Sequence, residues 1–70
     1  MIKLNDFLIA CDNSEVVQIC CGKTEIKKPC EELLIVDKIG QYKVSDLVVN
    51  KFYSWVEGED SYTTVFVHKC

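Results

Sequence analysis

Apolar residues Leu4, Phe7, Leu8 and Cys11 recur at i, i+3, i+4 and i+7, the spacing that gathers side chains on one helical face. This predicts a first helix over residues 5–11, with Asn5 as its cap and Asp6 in its first turn. Asp12-Asn13-Ser14 is a turn cluster. Beyond it, Val16-Val17-Gln18-Ile19-Cys20-Cys21 is β-branched and too short for an independent helix, so it reads as a strand. Gly22-Lys23 is then a two-residue connection of the Gly-X type, and Thr24 to Lys27 return antiparallel.

Pro29, Glu31 and Glu32, with Lys38 and Gly40 further on, follow the order of helix start and stop signals and predict a second helix over residues 30–39. Within it, Ile35-Val36 would also suit a strand. Gln41 to Ser45 reads as a connector with some extended character. From Asp46 to Val67 two β-rich runs flank Gly58-Glu59-Asp60, which predicts a C-terminal hairpin whose loop is longer than two residues. The element order α-β-β-α-β-β points to an α+β fold in which two short helices pack on one face of a small antiparallel sheet.

Length and charge narrow the functional classes. Seventy residues make one domain, and a chain of that size buries only about 60% of the surface it exposes when unfolded. With 49% apolar and 27% charged residues, the chain is expected to fold. The net charge is -3 and every basic residue is a lysine. Without arginine's planar, bidentate guanidinium and without a basic face, direct DNA or RNA binding is disfavoured. The acidic cluster Glu57, Glu59 and Asp60 fits a basic groove on a nucleic-acid-binding protein, or it is simply a solvated hairpin tip. Lys3 and Asp6 interrupt the run that a signal peptide would need, and no apolar stretch approaches a membrane span, so a cytoplasmic location away from membranes is expected. The five cysteines then read as free thiols in a reducing compartment.

Strand alternation divides the C-terminal hairpin into a face with Phe52, Ser54 and Val56 and a face with Tyr53, Trp55 and Glu57. On the second run Thr63, Val65 and Val67 fall opposite Tyr62, Thr64, Phe66 and His68. If the face with Phe52 looks at the helices, Tyr53, Trp55, Tyr62 and Phe66 form an outward aromatic patch of the kind that anchors interfaces. In the alternative reading the aromatic face is itself the core, or a homodimer covers it.

Other chemistry finds little support. Cys11, Cys20, Cys21, Cys30, Cys70 and His68 include no C-x-x-C, and adjacent Cys20 and Cys21 on a strand point to opposite faces. Buried apolar thiols are the expectation, with no metal and no cofactor. A Cys–His nucleophile pair would place its base near the chain end, where fixed geometry is hard to hold. Glu31-Glu32 suits a first helical turn rather than a catalytic carboxylate pair. No phosphate-binding or metalloprotease motif is present, and no catalytic residue is assigned.

The opening Ile2-Lys3-Leu4-Asn5-Asp6-Phe7-Leu8, the central Glu31-Glu32-Leu33-Leu34 and the run Val49-Asn50-Lys51-Phe52-Tyr53-Ser54-Trp55 resemble small proteins carried by phages and prophages of low-GC Gram-positive bacteria. The resemblance implies a class in which compact acidic proteins serve as stoichiometric inhibitors of host defence, anti-CRISPR proteins among them, and it carries over no site residues. The reading is a non-catalytic protein-binding module whose partner surface is Tyr53, Trp55, Tyr62, Phe66, Glu57, Glu59 and Asp60. Two others stand beside it: a thiol- or metal-based regulatory module using Cys20, Cys21 or Cys30 with His68, and a self-associating accessory protein.

Overall fold

A computed structural model describes residues 2–69. The chain runs β1 (Ile2–Lys3), α1 (Leu4–Ala10), β2 (Val16–Cys21), β3 (Thr24–Pro29), α2 (Cys30–Leu33), β4 (Lys38–Ile39), β5 (Tyr42–Lys43), a 3-10 turn (Val44–Asp46), β6 (Leu47–Glu57) and β7 (Asp60–Lys69). Helix and strand are mixed, but strand dominates at 57% of the described residues, more than the expected α-β-β-α-β-β order implies. Five strands form one sheet in the order β1-β6-β7-β2-β3, and β4-β5 is a separate small hairpin.

The amphipathic stripe predicted for the first helix is realised: Leu4 and Leu8 are buried, Phe7 and Cys11 are half-buried, and Ile9 faces solvent. The capping assignment needs correction. The helix begins one residue earlier than expected, Lys3 occupies the N-cap position, and no side chain caps it. In β2 the alternation holds cleanly, with Val17, Ile19 and Cys21 inside. The connection to β3 is the predicted two-residue turn, with Gly22 at φ 61° supplying the left-handed backbone.

The second helix is shorter than its start and stop signals suggest: it ends at Leu33 after four residues. Ile35 and Val36, β-branched and poor at holding a helix, leave it, and Lys38 to Lys43 become the β4-β5 hairpin around Gly40 at φ 63°. Gly40 thus serves a hairpin turn, where a helix stop was expected. The expected antiparallel sheet is also corrected, because β2 lies parallel to β7 with Val16 opposite Tyr62 and Cys21 opposite Val67. Two hairpins joined by the crossover through α2 and β4-β5 meet side by side in that direction. The C-terminal loop is tighter than predicted, since Glu57 pairs with Asp60 across only Gly58 and Glu59.

One core lies between the sheet and the helical side, built from Leu4 and Leu8 of α1, Cys30 and Leu33 of α2, and Val17, Ile19, Leu47 and Val65 of the sheet. Among the described residues no helix packs on the other sheet face. It is this one-sided covering that positions the candidate site.

Candidate functional site: the open sheet face and its acidic end

A single irregularity in β6 decides what the open face displays. Leu47 and Val49 point into the core, and plain alternation would send Lys51, Tyr53 and Trp55 in after them. The ladder to β7 instead slips at Asn50, with Val49 opposite Val67 and Lys51 opposite Phe66. Asn50 is the extra residue of a β-bulge, a fitting place for a polar side chain of low strand propensity. Past it Phe52, Ser54 and Val56 share the inner face with Val65, Thr63 and Ser61, while Tyr53 and Trp55 turn outward opposite Thr64 and Tyr62.

Tyr53, Trp55, Tyr62 and Phe66 are therefore brought together outside. Trp55 stacks on Tyr62 with centroids 5.6 Å apart, and Tyr53 meets Phe66 edge-on at 6.1 Å. Both arrangements suit the ring quadrupoles. Tyr53 remains 56% exposed and Trp55 44%, so these rings support one another without being taken out of water. Two lysines join them, unnoticed in the sequence: Lys51 Nζ lies 5.2 Å from the Phe66 centroid, and Lys27 Nζ of β3 lies 5.2 Å from that of Tyr62. Their ammonium groups are drawn to the ring faces. On the inner face Phe52 packs against Phe7 of α1 with centroids 5.0 Å apart, the orientation that the outward patch requires.

The acidic residues Glu57, Glu59 and Asp60 sit at the hairpin end and are all exposed. The structure enlarges this cluster. Because Val16 is in register with Tyr62, the loop before β2 lies beside the hairpin end, and Asp12, Ser14, Glu15, Val16, Glu59, Asp60 and Ser61 line a cleft of about 320 Å³. No local signal could have announced Asp12 and Glu15, since a parallel pairing across the chain brings them there. The carboxylate of Asp12 accepts hydrogen bonds from the backbone N–H and the hydroxyl of Ser14, which lower its pKa. The negative charge of Asp60 raises the pKa of Tyr62, with burial and Glu57 adding to it. Glu15 is fixed by Thr63, whose hydroxyl donates to its carboxylate, while the Ser54 hydroxyl lies 3.0 Å from Thr63 Oγ1 on the other side.

The Cys11 and Cys30 thiols are neighbours, but Cys20, Cys21 and His68 lie elsewhere. Cys21 and Cys30 are in the core, Cys20 is half-buried on the open face in register with Phe66, and His68 is exposed opposite Val48. Among the described residues no group of three or more His, Cys, Asp or Glu side chains is arranged to hold a metal ion. Cys70 lies outside the described residues. Burial raises the pKa of Cys11 to about 11, with the neighbouring Cys30 and Glu15 adding to it, and raises those of Cys30 and Cys20 as well. Such thiols are poor nucleophiles at neutral pH. No helix among the described residues is long and apolar enough to cross a membrane. Comparison with protein-family models, with curated proteins and with solved structures returns no match.

Proposed function

We propose that this chain is a non-catalytic protein-binding module whose contact surface is the open face of its sheet. The observation that carries this reading is the contiguity of Tyr53, Trp55, Tyr62 and Phe66 on the sheet face turned away from both helices, with Tyr53 and Trp55 exposed. Aromatic rings pre-arranged on paired strands offer large contact area at small entropic cost. The acidic end with Glu57, Glu59, Asp60, Asp12 and Glu15 supplies charge complementarity toward a basic partner, which favours rapid encounter. The sequence resemblance to compact acidic phage proteins adds the kind of role: a stoichiometric inhibitor of a host defence protein, with a basic nucleic-acid-binding surface as the complement.

The test is capture of proteins from a bacterial lysate by the immobilised chain, their identification by mass spectrometry, and titration of the captured protein with variants. Trp55→Ala is expected to weaken binding by about 2 kcal/mol or more, as interface anchors do. Ile35→Ala, at a position 81% exposed on the helical side, should leave it unchanged. Neutralising Glu57, Glu59 and Asp60 should slow association and flatten its salt dependence. A partner held equally well by all of these variants would exclude the open face as its binding surface.

A further inference from the structure

The two edges of the sheet are unlike. On one side β3 ends the sheet with Lys27, Lys28 and Pro29, residues that discourage further strand pairing. On the other, β1 pairs with Val48 and Val49 of β6. Beyond the bulge, Lys51-Phe52-Tyr53-Ser54-Trp55-Val56-Glu57 has β7 on one flank and no paired strand among the described residues on the other. Phe52 is 49% exposed and Val56 72%. An open apolar edge of this kind is a template for another strand.

The direction of its backbone groups follows from the turn. Glu57 and Asp60 close a two-residue turn, so their backbone groups face each other. Hydrogen-bonding direction alternates along an antiparallel strand. The N–H and C=O groups of Val56, Ser54 and Phe52 therefore point away from β7 toward the open side.

From these observations we infer that the β6 edge pairs with the β6 edge of a second copy of this chain, antiparallel, about a two-fold axis at Ser54. In that register Lys51 faces Glu57 of the other copy, Phe52 faces Val56, Tyr53 faces Trp55, and Ser54 faces itself. Three of the four opposed pairs match opposite charges, two apolar side chains and two aromatic rings, and the fourth sets two serine hydroxyls together. Each residue also meets one on its own face of the sheet, so inner remains inner and outer remains outer. The outward backbone groups of Phe52, Ser54 and Val56 become the hydrogen-bonded positions of the new ladder.

Neighbouring registers lose these matches. Shifting the two-fold to Tyr53 sets Lys51 against Trp55, and shifting it to Trp55 sets Tyr53 against Glu57. A foreign strand would have no reason to meet this self-complementary order of charges and rings. The contact surface is isologous, as a closed dimer requires. Seven residues a side is well below the roughly 20 to 30 of a standard interface, so the dimer forms in a concentration-dependent way. It would join two open aromatic faces into one continuous surface. The inference thus goes beyond the proposed function without depending on it.

Sedimentation velocity of the full chain from about 1 µM to about 1 mM brackets the affinities of small interfaces. The expected result is a rise from monomer to dimer mass. Lys51→Glu and Glu57→Lys each set like charges opposite one another at both symmetry-related pairs, and each should weaken the dimer about tenfold. Mixing these two variants restores both ion pairs, so the mixture should dimerise as the unmodified chain does. Val56→Pro removes an outward N–H without touching the ladder to β7 and should leave a folded monomer by circular dichroism. A chain that stays monomeric throughout the range overturns the inference, whether or not a foreign strand takes the edge. So does a dimer indifferent to the charge reversals, or one that the mixture fails to restore. Monomer with partner capture intact removes the dimer alone, whereas dimer with no captured partner removes the proposed function alone.

Discussion

Thr63 is 2% exposed and forms the middle of a short relay on the inner face of the hairpin: its hydroxyl donates to the Glu15 carboxylate and lies 3.0 Å from the Ser54 hydroxyl. Thr63→Val keeps the shape of the side chain and the strand preference of a β-branched residue, and deletes only the hydroxyl. A hydrogen bond to a charged group is worth about 1.5 to 3 kcal/mol, and a second, neutral one about 1 kcal/mol. Ser54 is exposed and can turn to water, which returns most of the second loss. The added methyl gains roughly 0.8 kcal/mol of burial. The net is a destabilisation of about 1 to 2 kcal/mol. For a domain of this size that lowers the melting temperature by roughly 4 to 15 °C. Urea unfolding and thermal melts measure it, and a double-mutant cycle with Glu15→Gln should return a coupling above about 0.5 kcal/mol, as for residues in one network. A Thr63→Val chain as stable as the unmodified one, or a cycle with no coupling, would show that Glu15 is not held by Thr63 and that the acidic cleft lacks this support.

Two turns with the same backbone should respond differently to the same change. Gly58 at φ 64° has nothing within 4 Å of an added Cβ, whereas Gly40 at φ 63° would set one 3.0 Å from Thr24 Oγ1. Gly58→Ala should therefore cost about 1 to 2 kcal/mol of left-handed strain alone. Gly40→Ala should cost more, and Thr24→Ala should recover the excess in denaturant titrations. The raised Cys11 pKa bears on alkaline stability: the ordinary thiol titrates near 9.0 and the folded one near 11, so the unfolded chain loses its proton first as pH rises. This contribution is fully present below pH 9 and is lost between about 9 and 11. The fall in urea midpoint over that range should be shallower in Cys11→Ala, and equal slopes would contradict the assignment. At pH 7 both Cys11 and the buried Cys30 should alkylate far more slowly than a free thiol.

Much of the local structure was legible from short-range pattern. The stripe Leu4, Phe7, Leu8 and Cys11 defines α1 because helical periodicity needs only neighbouring residues, and Gly22-Lys23 defines its turn because left-handed backbone is inexpensive only at glycine. The division of Phe52 and Val56 from Tyr53 and Trp55 could be read as well, since alternation holds along the unbroken run past the bulge. The length of α2 was not readable: its start and stop signals were genuine local preferences, but the β-branched Ile35 and Val36 leave the helix for a turn, and Gly40 serves the hairpin that follows.

Which face of the C-terminal hairpin turns outward was a matter for the tertiary structure. Read straight from Leu47 and Val49, alternation buries Tyr53 and Trp55; read from the helices, it exposes them. The bulge at Asn50 settles this by adding one residue to one strand, and what makes the bulge worthwhile is the ladder to β7, which must keep Leu47 and Val49 inside while letting Phe52 reach Phe7. The acidic cleft has the same origin. Asp12 and Glu15 stand far along the chain from Glu59 and Asp60, and only the parallel pairing of β2 with β7 brings them together. Sequence alone determined the residue types, the periodicities and the absence of arginine. The open edge of β6 and the company its aromatic rings keep depend on which strands lie side by side, a choice made by burying one common core rather than by any segment's own preference.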